Sequence, residues 1–415
     1  MTREDFYFLT SDKIQRLIEE NLHRDPVEFA LSYSQNDFSV ALVSQQLKYL
    51  RKAETKLPSW FHARCIIPGL AYEQCSSETT AAMKNFQGQH CLDLTCGLGV
   101  DTFSLAKKFV LVTSLEPDPA LFEVICHNFQ KLKATNISVL NQSAEVFLQN
   151  YQGPVFDLVY ADPSRRDDSG NRIHNLRDTS PDMVALFPLL KPLARNILIK
   201  LSPLFDIAEA YRLFPQASKL WVFSVNNECK ELLIEINQSS DFTQPTQVEI
   251  GLFRDKYQSN FVFPASENGH LERNTDILPN FIAEPDVAFY KARKVSALFS
   301  LYFPQWQGAL NYPDGFFLSD TVKGEHFPGR IFEVISAHPY KPRQIQKYLK
   351  SLQISRINIV KRHFPQTTKV IRQQLHIQEG GEDFLICTTL KEKNWCFHAK
   401  RYKTNEGTAI RSISE

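Results

Sequence analysis

The sequence predicts an α/β protein whose parallel sheet is covered by helices on both faces. Between residues 91 and 160, apolar segments with strand character alternate with segments of helical spacing, and such alternation is typical of βαβ units. The first apolar segment ends at Asp93 and is followed by Gly97 and Gly99, after which a helical pattern begins. A strand, a glycine turn and a helix N-terminus in this order form a common binding place for nucleotide-like ligands.

Length and charge indicate more than one domain and a basic C-terminal part. A chain of 415 residues is longer than one ordinary hydrophobic core supports. Its net charge is only +1, yet residues 331–415 contain 15 Lys and Arg against 7 Asp and Glu. This asymmetry indicates a basic module that contacts RNA or another polyanion, and a solvated basic surface is the alternative.

The cysteine spacing indicates whether the protein binds a metal, and the apolar runs indicate where in the cell it is located. None of the eight cysteines forms a C-x-x-C pair, so we expect neither a zinc site nor another bound metal. The N-terminus lacks the basic-then-apolar pattern of a signal peptide, and no run of 18 apolar residues occurs. The sequence therefore predicts a cytoplasmic protein that does not span a membrane.

The N-terminal residues 1–60 show helical spacing, for example at Ile14, Ile18 and Leu22. No chemistry is indicated there, and we expect a helical cap or collar. Ser76 or Ser77 then precedes helix-favouring residues, which is a signal for a helix N-cap.

Two ligand classes compete for the glycine turn. A dinucleotide site needs G-x-G-x-x-G, but Thr102 stands at the third glycine position. The carboxylate of Asp93 would repel a pyrophosphate, whereas it would suit a ligand that carries an ammonium group. The next apolar segment ends at Glu116, which can accept hydrogen bonds from both hydroxyls of a ribose. These residues favour a ligand with a ribose and an ammonium group.

The segment Asp93–Asp101, together with Glu116-Pro117-Asp118, resembles the cofactor site of class I S-adenosylmethionine-dependent methyltransferases. The resemblance covers residues 74–236 and implies a Rossmann-like seven-stranded sheet with S-adenosyl-L-methionine as the cofactor. Ser143 stands where the family often has an Asp that binds the adenine amino group. The residues that the resemblance implies for cofactor binding are Gln74, Ser77, Asp93, Thr95, Gly97, Gly99, Asp101, Glu116, Pro117, Ser143, Ala144, Glu145 and Asp162.

For the polar segment before the glycine turn, the resemblance implies a lid over the methionine carboxylate. Gln74, Ser77 and Glu78 are the candidate lid residues. A purely structural helix cap is the alternative for this segment.

The fourth strand runs into Asp162-Pro163-Ser164-Arg165. Family members that methylate exocyclic amines carry Asp or Asn, two prolines and an aromatic residue at this place. Here Ser164 and Arg165 replace the second proline and the aromatic ring, while Asp162 can still accept a hydrogen bond and orient a nucleophile. The guanidinium of Arg165 can stack on a base or pair with a phosphate, and a solvated turn is the alternative. Asp162 and Arg165 are therefore candidate catalytic residues.

Two other acceptor atoms have distinct sequence requirements. Covalent methylation of C5 in a pyrimidine needs a cysteine nucleophile, and no cysteine lies between residues 126 and 229. Ribose 2′-O-methyltransferases use a Lys-Asp-Lys-Glu set, and Lys84, Asp162, Lys200 and Glu231 occur here in that order. A lysine whose pKa is lowered by burial could act as the base, so Lys200 is a third candidate catalytic residue. A chance ordering of common residues is the alternative.

The C-terminal part shows a different pattern. A basic amphipathic helix at 341–350 precedes a strand at 356–364, a second helix at 366–375 and a strand at 383–389. This order resembles the THUMP-like module that follows the catalytic domain in one family of bacterial and archaeal methyltransferases, and it implies RNA as a partner. A structural or dimerising module is the alternative. The basic residues that could contact the RNA backbone are Lys347, Lys350, Lys361, Arg362 and Arg372.

The sequence thus predicts a methyltransferase that acts on RNA, either tRNA or rRNA, with a base nitrogen as the preferred acceptor. Ribose 2′-O transfer through Lys200 is the first alternative. A protein that binds the cofactor or RNA without catalysis, or that methylates a protein or a small molecule, is the second. The expected domains are a helical region (1–75), the methyltransferase core (76–240), a connecting, small ferredoxin-like α+β region (241–335) and a basic THUMP-like domain (336–412). The sequence does not indicate the oligomeric state.

Overall fold

The structure is a computed structural model that describes residues 1–33, 39–164, 179–238, 246–254, 257–269, 278–322 and 326–402. The chain forms two compact units. The first comprises Met1–Trp221 and Lys230–Pro245, and the second comprises Val222–Cys229 and Thr246–Glu415. None of the described helices is long and apolar enough to cross a membrane.

Short helices form the N-terminal part of the first unit, as the helical spacing predicts. They are α1 (Arg3–Thr10), α2 (Asp12–Glu20), α3 (Pro26–Ser32), α4 (Val40–Lys56), α5 (Pro58–His62), α6 (Gly69–Gln74) and α7 (Glu78–Met83). Asp25 caps α3, because its carboxylate accepts hydrogen bonds from the first N–H groups of that helix. Ile14 and Ile18 lie four residues apart on α2 and are both buried, since one face of this helix packs into the core.

A parallel sheet forms the centre of the first unit. Its strands are β1 (Gly88–Asp93), β2 (Phe109–Leu115), β3 (Ile137–Leu140), β4 (Phe156–Ala161), β5 (Ala194–Leu201), β6 (Lys219–Val225) and β7 (Glu228–Asn237). Their order is β3-β2-β1-β4-β5-β7-β6, with β1 to β5 parallel and β7 antiparallel to β5. This arrangement confirms the predicted α/β class. The sheet contains the seven expected strands and continues beyond β6 with two more, described below, so that it has nine strands among the described residues.

Helices cover this sheet. They are α8 (Val100–Ala106), α9 (Pro119–Lys131), α10 (Ala144–Asn150), α11 (Met183–Leu190) and α12 (Ile207–Leu213). The residues of β4 from Leu158 to Ala161 are all buried, as expected for a central strand covered on both faces. Because β1 pairs with both β2 and β4 in parallel, the carboxyl ends of these three strands lie side by side. In an open α/β sheet, this edge is where ligands bind.

In the second unit, β8 (Gln247–Arg254) and β9 (Tyr257–Pro264) form an antiparallel pair. The other elements are β10 (Phe281–Pro285), α13 (Val287–Lys291), α14 (Val295–Tyr302), β11 (Gly308–Leu310), β12 (Phe317–Ser319), β13 (Gly329–Pro339), α15 (Pro342–Ser351), β14 (Asn358–Lys361), α16 (Thr368–Leu375), β15 (Asp383–Leu390) and β16 (Lys393–Arg401). The strands from β10 onwards form a sheet of order β11-β12-β10-β13-β16-β15-β14. Helices α15 and α16 each bury apolar residues four positions apart, which anchors them on this sheet.

Two elements of the second unit differ from the sequence-based expectation. The segment from Glu284 to Ala292 predicts the lead into a helix, but Glu284 lies in β10 and the helix begins at Val287. Pro285 favours an extended conformation of the residue before it, and Asp286 caps α13 by accepting a hydrogen bond from a backbone N–H.

Strand β16 is the second difference, because nothing in the sequence predicts it. It pairs with β15 through a turn in which Lys391 and Glu392 have φ angles of 44° and 61°. Neither residue is glycine or asparagine, so the usual signal of a tight hairpin is missing from the sequence.

The buried side chain of Asn128 on α9 holds the segment before α6. Its Nδ2 donates a hydrogen bond to the carbonyl oxygen of Ile66 at 2.8 Å, and its Oδ1 accepts one from the N–H of Ile66 at 2.9 Å. We predict that Asn128→Ala lowers the free energy of unfolding by about 3 kcal/mol, because two buried backbone groups lose their partner. Urea unfolding monitored by circular dichroism measures this change.

Asn150→Ala is the matched control for this prediction. The amide of Asn150 makes an exposed hydrogen bond to the carbonyl of Val146 on α10, and its removal should change the free energy of unfolding by about 0.5 kcal/mol or less. Equal effects of the two substitutions would contradict the proposed role of Asn128.

Candidate active site

The glycine turn between β1 and α8 has two glycines in the left-handed region, and they serve different ends. Gly97 has a φ of 56° and Gly99 a φ of 82°. A Cβ on Gly99 would lie 2.6 Å from the Phe129 ring, so this glycine allows α9 to pack against the turn. A Cβ on Gly97 would meet no atom within 4 Å. The backbone of Gly97 therefore borders open space that a ligand could occupy.

Glu116 joins the end of β2 to this turn. One carboxylate oxygen accepts a hydrogen bond from the N–H of Gly97 at 3.1 Å, and the other accepts one from the N–H of Asp118 at 3.0 Å. Burial raises the pKa of Glu116 to about 7, although these two hydrogen bonds oppose the shift. The carboxylate thus lies beside the open face of the turn and is costly to ionise while no further donor reaches it.

Asp93 at the end of β1 holds the turn from inside. The residue is fully buried, and its carboxylate accepts hydrogen bonds from the Thr95 N–H at 2.9 Å, the Thr102 hydroxyl at 2.5 Å and the Ser114 hydroxyl at 3.2 Å. Burial raises the pKa of Asp93 to about 6. The threonine that replaces the third glycine of a dinucleotide site is therefore a partner of this acid, which the sequence does not reveal.

Thr95 connects the glycine turn to the end of β4. Its hydroxyl accepts a hydrogen bond from the N–H of Asp162 at 2.7 Å. Two of the predicted site segments are therefore brought into direct contact, and Asp162 is fixed close to the turn.

A group of charged side chains, which we call the buried ion cluster, lies next to Asp162. Its members are Lys84, Asp101, Asp162, Lys200 and Glu231. Asp162 is the most exposed of them, with 22% of its side chain accessible, whereas Lys200 is only 5% accessible. The residue order that suggests a Lys-Asp-Lys-Glu set thus corresponds to an actual cluster, with Asp101 as an additional member.

Each ammonium group of the cluster faces more than one carboxylate. Lys84 Nζ lies 2.8 Å from Asp101 and 2.6 Å from Glu231. Lys200 Nζ lies 2.7 Å from Asp162, 3.6 Å from Glu231 and 3.9 Å from Asp101. Two positive charges therefore face three negative charges among the described residues of the cluster.

Two hydroxyl groups complete the cluster. The Ser76 hydroxyl lies 2.7 Å from Lys200 Nζ, 2.7 Å from Asp101 Oδ2 and 3.0 Å from Glu231 Oε1. The Tyr160 hydroxyl donates a hydrogen bond to Asp101 at 3.0 Å. Beyond an N-cap at Ser76, the sequence indicates no role for either residue. Two adjacent serines precede α7 and only Ser77 caps it, so the second serine was the sequence signal for a different role of Ser76.

The protonation of Lys200 differs from the expectation. Burial by itself would lower the pKa of Lys200, but the carboxylates of Asp162, Glu231 and Asp101 outweigh burial and hold this pKa well above its usual range. The two lysines likewise hold the pKa of Asp101 well below its usual range against the effect of burial. Lys200 is therefore an ammonium group at neutral pH, and the expected burial-lowered pKa is wrong because three carboxylates surround it.

The remaining predicted site residues lie around the glycine turn or outside the described residues. Ser77 and Ser143 are the N-caps of α7 and α10. Gln74 is exposed at the end of α6, Pro117 is exposed after β2, and Ala144 and Glu145 begin α10. The candidate lid residue Glu78 accepts two hydrogen bonds from Ser59, at 2.6 and 2.7 Å. Arg165 lies outside the described residues.

The predicted basic edge of the second unit is distributed over three elements. Lys347 and Lys350 are exposed on α15, and Lys361 is exposed at the end of β14. Arg372 on α16 pairs with Glu379 at 2.7 Å, and Arg362 lies over the ring of Tyr290. Among the described residues, no group of three or more His, Cys, Asp and Glu side chains is arranged to hold a metal ion.

Family models match two segments of the chain. A model described as THUMP domain-like matches residues 329–401, and a model described as conserved hypothetical protein 95 matches residues 78–179. The first match confirms the module that the C-terminal pattern predicts. The second covers the glycine turn, Glu116 and Asp162. No curated protein matches the sequence.

Solved structures similar to this chain include one that aligns over nearly its whole length. A candidate methyltransferase from Porphyromonas gingivalis W83 is 24% identical and aligns over 94% of this chain and 97% of its own, with a TM-score of 0.80. An rRNA methylase from Streptococcus thermophilus is 11% identical over 39% of this chain and 92% of its own, with a TM-score of 0.29. The M. capricolum TrmK bound to S-adenosyl-homocysteine is 11% identical over 39% of this chain and 68% of its own, with a TM-score of 0.31.

The first of these structures extends over nearly the whole chain, whereas the other two cover less than half of it. Together with the family models, it confirms the resemblance that the glycine turn and the C-terminal pattern predict. The chain thus shares the fold of the candidate methyltransferase from Porphyromonas gingivalis W83, and residues 329–401 match the THUMP domain-like model.

Proposed function

We propose that this protein is an S-adenosylmethionine-dependent methyltransferase that modifies a base nitrogen of RNA. The observation that carries the proposal is the hydrogen bond between Thr95 and Asp162, which joins the glycine turn to the end of β4. A cofactor on the open face of the turn and an acceptor beside Asp162 would then meet at one edge of the sheet.

The residues around the turn fit the proposed cofactor. The carboxylate of Glu116 would accept hydrogen bonds from the ribose hydroxyls, and Gly97 leaves its backbone open to the ligand. Asp93 and Asp101 would shape the turn from inside, because both carboxylates are buried. Ser143, Ala144 and Glu145 would border the adenine, and Gln74 and Ser77 the methionine end. The cofactor supplies an electrophilic methyl group on a sulfonium.

Asp162 would orient the nucleophile. One of its carboxylate oxygens is held by Lys200 Nζ at 2.7 Å, and its side chain is partly accessible from solvent. A base nitrogen attacks with its own lone pair, so the protein needs to supply an acceptor for the N–H group rather than a strong base. The ammonium of Lys200 holds Asp162 in place through this ion pair, and the displaced proton can leave through solvent.

Ribose 2′-O transfer is the second candidate, and one observation favours it. Lys84, Asp162, Lys200 and Glu231 converge in the buried ion cluster although they are far apart in the sequence. The same cluster also opposes this candidate, because a lysine held as an ammonium by three carboxylates has no lone pair to take the proton of a hydroxyl.

RNA is the proposed acceptor molecule because of the THUMP-like segment at residues 329–401. A protein or small-molecule acceptor, and cofactor binding without catalysis, are the outcomes that would replace it. Transfer of a labelled methyl group to total tRNA or rRNA, compared with total protein, separates these possibilities.

We predict that binding of S-adenosylmethionine weakens about tenfold between pH 8 and pH 6. The pKa of Glu116 is about 7 without a ligand, and only its ionised form accepts both ribose hydroxyls, so the competent fraction falls about tenfold over this range. Isothermal titration in buffers of different ionisation enthalpy should also show proton release near pH 7.

The control for this titration is Glu116→Gln, which keeps one acceptor oxygen but does not titrate. Its affinity should be weaker than that of the wild type at pH 8 and nearly constant from pH 6 to pH 8. Glu20→Gln, an exposed change on α2, should leave the wild-type behaviour intact. Wild-type affinity that is constant over this range would contradict the assignment of Glu116, and no binding at all would remove the proposed activity.

We predict that alkaline hydrolysis of the RNA product releases the methylated residue as a mononucleotide, because the methyl group lies on the base and leaves the 2′-hydroxyl free. Alkaline hydrolysis releases a base-methylated residue as a mononucleotide, whereas a 2′-O-methylated residue stays in an alkali-resistant dinucleotide. Mass spectrometry of the wild-type product therefore identifies the acceptor without any variant. An alkali-resistant dinucleotide would establish the second candidate instead.

Variants of the buried ion cluster test the roles of its members. Asp162→Asn should lower kcat about 100-fold with little change in cofactor affinity, because the acceptor of the N–H group loses its charge. Lys200→Gln should lower kcat about tenfold if it positions Asp162, and should abolish transfer if it is the base. Circular dichroism must show that each variant is folded, because Lys200→Gln leaves three carboxylates facing one lysine.

A further inference from the structure

Four arginines of the second unit converge on two carboxylates. They are Arg254 on β8, Arg330 on β13, Arg362 after β14 and Arg401 on β16, and we call them the arginine cluster. The carboxylates are Glu284 on β10 and Asp286 at the N-cap of α13. Among the described residues, the cluster therefore has two more positive charges than negative charges.

The register of the sheet brings these side chains together. Glu284 lies directly opposite Arg330 in the β10–β13 pair, and Phe332 lies opposite Arg401 in the β13–β16 pair. Arg330 and Phe332 are two residues apart on one strand. One face of the sheet therefore carries the side chains of Glu284, Arg330, Phe332 and Arg401. The guanidinium groups of Arg330 and Arg401 lie 5.4 and 5.9 Å from the centre of the Phe332 ring.

Two of the arginines form hydrogen-bonded ion pairs with the carboxylates. Arg330 Nε donates a hydrogen bond to Glu284 at 2.8 Å, and its Nη2 donates to the same oxygen. Arg254 Nη2 donates to Asp286 at 3.1 Å, and its Nη1 donates to the carbonyl oxygen of Gly329 at 2.8 Å. These ion pairs are typical of a structural role.

Arg362 and Arg401 lack such a partner. The guanidinium of Arg362 lies 3.2 Å from the centre of the Tyr290 ring, its Nε is 3.7 Å from Glu284, and this buried Nε has no hydrogen-bond acceptor among the described residues. Arg401 donates a 3.3 Å hydrogen bond to the Gly329 carbonyl. Burial, with Arg330 and Arg254 nearby, lowers the pKa of Arg401 to about 10. Arg362 thus has a donor without an acceptor, and Arg401, which is exposed, adds a positive charge that forms no ion pair with a described carboxylate.

A bound anion would accept hydrogen bonds from the unpartnered donors and would neutralise the surplus positive charge. Guanidinium groups present several N–H donors in a planar fork that matches the oxygens of a phosphate, and a guanidinium stacked on a ring has its edge free for such bonds. An anion also neutralises positive charge that is otherwise held among like charges in a partly buried setting. An RNA chain supplies phosphodiester groups at regular intervals.

We propose that the arginine cluster is a phosphate-binding site that holds the backbone of the RNA substrate through Arg362 and Arg401. This inference rests on the proposed RNA substrate, but not on the chemistry at Asp162. It places the RNA backbone contacts on Arg362 and Arg401 rather than on the exposed lysines of α15 alone. Arg330 and Arg254 then fix the carboxylates and shape the site.

The first test measures thermal unfolding of the full-length protein with sodium phosphate or with a short single-stranded oligoribonucleotide, against sodium chloride of equal ionic strength. We expect both ligands to raise the Tm of the wild type, because a ligand that binds the folded state stabilises it. Arg362→Gln and Arg401→Gln should lose most of this increase. The matched control is Arg212→Gln, an equal change of charge at an exposed residue of α12 that pairs with Glu209.

The second test measures oligoribonucleotide affinity as a function of salt. Each of the two substitutions should lower the slope of log affinity against log salt by about 0.7, the value for one lost contact to a single strand. Arg362→Lys, which keeps the charge and loses the fork, should retain the slope and bind more weakly than the wild type.

The possible results separate the claims. An RNA affinity and a Tm increase that are equal in the wild type and both glutamine variants would overturn the proposal and leave the arginines as structural residues. Stabilisation by phosphate without binding of the oligoribonucleotide would overturn the RNA assignment. Binding that depends on the arginines, in a protein that does not bind S-adenosylmethionine, would support the phosphate site and refute the methyltransferase proposal.

Discussion

The buried ion cluster is the interaction on which the geometry of the first unit depends. Removing a charge from water costs several kcal/mol, and the cost is recovered only where partners and hydrogen bonds are complete. Here Lys84 and Lys200 each contact two or more carboxylates, and Ser76 links both sides. The five members come from the segment before β1, from α8, and from the ends or interiors of β4, β5 and β7. The cluster therefore fixes the positions of these elements relative to one another, because the loss of either lysine leaves three carboxylates against one positive charge.

The cluster also determines the electrostatics of the neighbouring open face. Three carboxylates against two ammonium groups leave one net negative charge among the described members, and Asp162 is the most accessible member of the cluster. A low-dielectric surrounding strengthens the attraction between this charge and a cation. The proposed cofactor is cationic at the sulfonium, whereas its product is not. The charge balance would thus favour the cofactor before transfer and release the product after it.

The sequence predicts features that depend on residues close together in the chain. It does not predict features that depend on distant residues meeting in space. The strand, the glycine turn and Glu116 lie within 30 residues of one another, so their pattern is readable locally. The cluster joins residues 84 to 231, and its order in the chain cannot reveal whether the side chains meet. The sign of the pKa shift of Lys200 depends on Asp162, Glu231 and Asp101 together, and the sequence does not show that they meet around this lysine. In the same way, β16 escapes prediction because its turn uses Lys391 and Glu392 instead of glycine.

The sequence gives the amount of positive charge in the second unit but not which of the charged side chains converge. Counting residues identifies 331–415 as basic, but most of that excess lies on exposed lysines that water and salt screen. Arg254 lies outside that segment, and its pairing with Asp286 is visible only in the fold. A screened lysine adds nonspecific attraction, whereas a half-buried arginine with unused donors can select a phosphate by geometry. Under the proposed function, the contacts that position the RNA chain therefore come from converging arginines and not from the region of highest charge density.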